Sequence, residues 1–174
     1  MGFSSVLAMA MLATGPASAP PEAAPSNREV AVEDAFAQLA RMVGVWRPAD
    51  EPDSPLRIRF YLVAGDSVLV ESWEVRGRPH SLTLYHRDNG ALLATHYCPQ
   101  GNQPRLALSD SSDSGGLHFA FRDATDLDPA SESHVHDLWF DLADPDRPVR
   151  SEIYVGPDGP GVQERLRLVR EAEG

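Results

Sequence analysis

The chain has 174 residues, 42% of them hydrophobic, which is enough for one domain with a real core and too few for two. Its formal charge is −11, and all 15 basic residues are arginines scattered along the chain, so there is no electrostatic footprint for nucleic acid or an anionic membrane. Cys98 is the only cysteine, which leaves no internal disulfide and makes stability a matter of packing.

Residues 3–14, FSSVLAMAMLAT, form an apolar run of the length of a signal-peptide core, followed by small residues at Ala17-Ser18-Ala19. No Lys or Arg precedes the run, and Pro20 and Pro21 sit where the new N-terminus would be, so either the start codon is misplaced or cleavage lies a few residues later, near Ala24. Gly15-Pro16 ends the run short of the ~20 apolar residues that a spanning helix needs. The expectation is therefore a signal peptide and Pro/Ala-rich linker over 1–25 and a folded domain over 26–174. That arrangement implies export, periplasmic or secreted, with no stable membrane insertion once the leader is removed.

Ser26 or Asn27 can cap a single helix, and Val30, Phe36, Leu39, Ala40 and Val43 form an apolar stripe at helical spacing that Gly44 stops. From Trp46 onward the pattern changes to period two. Strands are predicted near 44–48, 56–63, 67–75, 80–87, 91–98, 104–109, 116–122, 134–142, 148–155 and 161–170. Turn residues separate them: Ala64-Gly65-Asp66, Gly77, Asn89-Gly90, Gly101-Asn102, Gly115-Gly116, Asp144-Pro145-Asp146 and Gly156-Pro157-Asp158-Gly159. Roughly ten antiparallel strands at this spacing give an all-β, up-and-down β-barrel with one N-terminal α-helix. Residues 123–133 form the longest loop and the natural lid.

Asn89-Gly90 is the strongest hairpin signal, because a type I′ turn needs positive φ at both central residues. A two-residue turn there pairs Asp88 with Ala91, Tyr85 with Ala94, Thr83 with His96 and Ser81 with Cys98, all on one face. The opposite face holds Leu82, Leu84, Leu93, Thr95 and Tyr97. The same parity elsewhere gathers Ile58, Phe60 and Leu62; Leu106 and Leu108; Leu117, Phe119 and Phe121; Leu138 and Phe140; Leu166 and Leu168. Apolar residues fill a small barrel, so this second set is expected inside and His96 and Cys98 outside. His80, His86, His134 and His136 share the inward parity, subject to any β-bulge.

The stretch LYHRDNGALLATHYCPQGNQPRLAL, followed by FRDATDL and HVHDLWFDLADPDR, resembles a set of uncharacterised secreted bacterial proteins with a lipocalin-like (calycin) barrel. The likeness covers most of 36–170, with THYCPQGNQPR its most specific piece. It implies export and a barrel, and it carries no established activity or catalytic residue. A more distant likeness is to nitrobindin-like haem barrels, which open with a W-x-G-x-G-x-G motif; here Arg47-Pro48-Ala49-Asp50 follows Trp46.

His134-Val135-His136 is the sharpest chemical pattern, because alternate residues on a strand project to one side and two imidazoles can bind one metal ion. A third ligand would come from His86, His118, Glu152 or Glu164; otherwise the pair is a hydrogen-bonded feature of the rim. Arg105, in a loop bracketed by Pro99 and Pro104, either clamps an anionic guest or pairs with a surface acid. Cys98 and His96 lie on one strand face, as a nucleophilic pair would, although a lone cysteine is usually a small buried hydrophobe. Trp46, Trp73 and Trp139 read as core or rim packing. No GxSxG, Walker, HExxH, CxxC or dinucleotide motif occurs, so there is no catalytic assignment and no cofactor is required. The expected function is reversible binding of a small, largely apolar molecule by His86, Thr95, Tyr97, His134 and His136. The alternatives are a metal or haem barrel using His134 and His136, or a filled barrel acting as a structural or partner-binding module.

Overall fold

The computed structural model describes residues 26–109 and 116–172. The leader expected over 1–25 and the turn around Gly115 lie outside them. One helix, α1 (Asn27–Ala40), precedes the strands β1 (Gly44–Pro48), β2 (Leu56–Val63), β3 (Val68–Val75), β4 (Arg78–Asp88), β5 (Ala91–Tyr97) and β6 (Gln103–Leu108). They are followed by β7 (Gly116–Thr125), β8 (His134–Asp141), β9 (Val149–Gly156), the two-residue β10 (Gly159–Pro160) and β11 (Glu164–Arg170). Strands β1 to β9 pair consecutively and antiparallel, and β11 joins β9 to β1. That makes a closed ten-strand barrel, with β10 a short extension beside β9. Closure leaves no edge strand exposed.

The Asn89-Gly90 turn has φ of 48° and 74°, the positive values a primed turn demands. It sets the expected register: Tyr85 faces Ala94, Thr83 faces His96 and Asp88 faces Ala91. All ten predicted strands are present. β7 extends to Thr125, so the expected 123–133 lid is shorter, and Asn102 and Gln100 tie its end down through Ser133.

Helix α1 covers one end, here called the lower end. Its buried face is Val32, Ala35, Phe36 and Leu39, continued by Met42. The expected Val43 instead lies 41% exposed, because the helix ends at Ala40 and the chain turns through Arg41 and Met42 before entering β1 at Gly44. Arg170 of β11 donates to the carbonyls of Val43 and Arg41 and lies over the Trp46 ring at 4.2 Å. It thus satisfies carbonyls at the helix end and pins the helix to the barrel seam. Gly44 has φ +138°, and a Cβ there would stand 2.0 Å from the Arg170 guanidinium. Glycine is required at this junction.

The lower lumen is filled with rings. Trp46, Phe60, Tyr85, Phe119 and Phe140 are fully buried. Tyr85 packs edge-on to Phe119 at 5.6 Å and to Phe140 at 5.9 Å, and Phe60 meets Phe140 at 6.3 Å. Ile58, Leu69, Leu92, Leu106, Leu138 and Leu168 complete this core, largely as the sequence parity implies for β2, β6, β8 and β11.

The β4–β5 hairpin faces the other way. Thr83, Tyr85, Ala94 and His96 point into the lumen and are buried, whereas Tyr97 is 44% exposed and Thr95 and His86 are half-buried on the outer wall. The expected interior positions of His86, Thr95 and Tyr97 are therefore corrected, as is the outward placement of His96 and Cys98. The cause is that both faces of the hairpin are apolar enough to be buried. The large ring and cross-barrel partners of Tyr85 decide the face.

Candidate functional site

Above the aromatic layer the lumen turns polar. β3 alternates Leu69, Glu71 and Trp73 inward, and register sets Glu71 opposite Thr83, which itself faces His96. Across the barrel, β9 presents Arg150, Glu152 and Tyr154 on the face that packs against Phe140, Leu138 and Val135. Glu71 is wholly buried, Arg150 is 2% exposed and Glu152 8%.

These groups form one network spanning the lumen. Arg150 Nε stands 2.6 Å from Glu71 Oε1, off the hydrogen-bond line and so an ion pair rather than a directed bond. Its Nη1 donates to Glu152 Oε2 at 2.8 Å, and its guanidinium lies over the Trp73 ring at 4.8 Å. Trp73 Nε1 donates to Glu71 Oε1 at 2.5 Å and the Tyr85 hydroxyl donates to Glu71 Oε2. Burial works against the charge on Arg150, but Glu152 and Glu71 more than offset it and hold its pKa above the ordinary value. Burial, reinforced by Glu71, raises the Tyr85 hydroxyl well above its usual range and keeps it a donor.

His96 stands beside this network. Its Nδ1 lies 2.9 Å from Thr83 Oγ1, and its Nε2 is buried with no hydrogen-bond partner. Burial first, then the Arg150 charge, lower its pKa to about 4, so it is a neutral imidazole at pH 7. Nearer the end opposite α1, burial and Glu152 raise Tyr154. Burial pushes the Cys98 thiol up, the reverse of what a nucleophilic cysteine needs.

The remaining sequence candidates lie elsewhere. His134 and His136 do not join Arg150 in the lumen. A register shift between Val135 and Asp137 turns Val135 into the core and reverses the expected parity. His136 Nδ1 donates to Asp137 Oδ2 at 2.8 Å, and His118 Nε2 donates to Oδ1 of the same carboxylate at 2.7 Å. His118 stacks on Trp139 at 4.7 Å, and Phe121 packs on both His134 and His136. No group of three His, Cys, Asp or Glu side chains suited to holding a metal ion occurs among the described residues. Arg105 pairs with Asp123 on the surface, its structural alternative.

Sequence reasoning missed Glu71 and Arg150 because an isolated charge within a strand usually marks the solvent face. The available signal was parity: Glu71 shares a face with Leu69 and Trp73, and Arg150 shares one with Glu152 and Tyr154.

Fold and site together define a closed ten-strand antiparallel barrel with an apolar floor and a charged upper lumen. No protein-family model matches the chain, and no curated protein matches it.

Proposed function

We propose that this protein is a small-molecule-binding barrel whose guest docks at the end opposite α1. It would rest over Trp73, Glu152 and Tyr154, with His96 and Arg150 forming the base. The supporting observation is the Glu71–Arg150–Glu152 network. Well-packed apolar residues in place of a buried ion pair are often as stable or more so, so a barrel serving only as a scaffold gains little from this one. Trp73 and Tyr154 are only half-buried, and the unpartnered Nε2 of His96 offers a polar contact that a guest or a trapped water can complete.

This reading revises the expected guest. The five rings occupy the apolar floor, so a largely apolar molecule has little room there. A small guest with a polar head group suits the charged layer better. Native mass spectrometry on protein from its native source tests the idea. A non-covalent adduct that is released on denaturation is expected. A bare polypeptide, with no thermal shift across a panel of polar metabolites, would instead favour the filled-barrel alternative, a structural or partner-binding module.

A further inference from the structure

We propose that His134 and His136, at the start of β8, form a chelating pair for a late first-row divalent metal ion, of the copper and nickel class. Asp137 acts as the positioning residue. This site is independent of any guest in the lumen.

The first support is orientation. Asp137 accepts from His136 Nδ1 at 2.8 Å, which fixes the tautomer and leaves the Nε2 lone pair of His136 for a ligand. Metal-binding histidines are typically held this way, with the second ring nitrogen donating to a carboxylate. His118 holds the other oxygen of Asp137 at 2.7 Å and is itself stacked on Trp139, so the carboxylate is anchored from both sides.

The second support is an anomaly. His134 is 7% exposed, and neither of its ring nitrogens has a hydrogen-bond partner. Leaving such a group unsatisfied is costly.

The third support is distance. The two ring centroids are 5.8 Å apart, with planes at 56°. An ion bound to an imidazole nitrogen sits about 3.2 Å from the ring centroid, so a shared ion tolerates centroids up to about 6.4 Å apart. Phe121 lies 4.6 Å from one ring and 5.3 Å from the other and limits their motion. Two imidazole ligands with water in the remaining positions suit copper or nickel, which bind imidazole most strongly in the first-row order, better than a closed four-ligand zinc site.

The test is calorimetric titration of the chelator-treated full chain with Cu²⁺ and Ni²⁺ separately. One ion per chain is expected, with Cu²⁺ bound more tightly. His136→Ala should weaken binding at least tenfold and Asp137→Asn about tenfold, while His86→Ala leaves it unchanged. The His136 side chain is 40% exposed, so His136→Ala is expected to fold; circular dichroism checks that. The electron paramagnetic resonance spectrum of the Cu²⁺ form should show two nitrogen donors in the wild type and fewer in His136→Ala. Absence of saturable binding, or equal affinity in folded His136→Ala, would overturn the proposal.

Discussion

The two halves of the lumen solve the same problem, filling a closed barrel, with different chemistry. The lower half uses rings and branched aliphatics under a helix, where every buried atom gains from leaving water. The upper half buries one guanidinium and two carboxyl groups, whose desolvation must be offset by one another. Interchangeability is the difference between them. The lower half depends on shape and volume, so its residues are replaceable only by residues of similar size. The upper half depends on charge balance, so its members stand or fall together.

The comparison breaks most visibly under truncation. Arg150→Ala strands Glu71 and Glu152 without their cation and should cost about 3–5 kcal/mol in denaturant unfolding. Phe140→Ala in the lower half should cost about as much, by leaving a cavity between Tyr85 and Phe60. The halves then separate on repair. The triple change Glu71→Gln, Arg150→Met, Glu152→Gln should recover most of the stability lost in Arg150→Ala, whereas polar substitutions around Phe140→Ala should recover none.

Tyr85 belongs to both halves, its ring below and its hydroxyl above. Tyr85→Phe keeps the ring contacts and removes one donor to Glu71, so a loss of about 1–3 kcal/mol is expected. A larger loss would mean that the network couples more strongly to the floor than pairwise contacts suggest.

His96 supplies a pH signature for the upper half. Its folded pKa is about 4, below the ~6.5 of an unfolded histidine. The unfolded chain therefore takes up a proton first as pH falls. Stability contributed by His96 is present above pH 6.5 and declines between there and pH 4, by at most about 1.4 kcal/mol per pH unit. The difference in stability between wild type and His96→Asn, followed from pH 7.5 to 4, should narrow over that window. A constant difference would place the imidazole outside the buried layer. The smallest effect is expected on the outer wall, where Tyr97→Ser should change stability by no more than about 0.5 kcal/mol.

The legibility of the sequence follows the same division. Strand positions and the β4–β5 register were readable because Asn89-Gly90 permits one turn geometry and pleating then fixes each pair. The face of that hairpin was not readable, because Leu82, Leu84 and Leu93 compete with Tyr85 and Ala94 for the interior. Only contacts from other strands, Phe119 and Phe140 across the barrel and Glu71 on the neighbouring β3, decide between them. The parity of His134 and His136 failed for a local reason, a bulge that alternation alone does not reveal. Arg150 pairs with a residue 79 positions away in sequence, and no local pattern announces such a partner.

The most direct test of the central claim, that the charged upper lumen serves a guest while the floor serves the fold, is native mass spectrometry of wild type and the triple variant side by side, each confirmed to be folded. The account predicts a non-covalent adduct on the wild type and none on the folded triple variant. An adduct retained by the triple variant, or absent from both proteins, would contradict it.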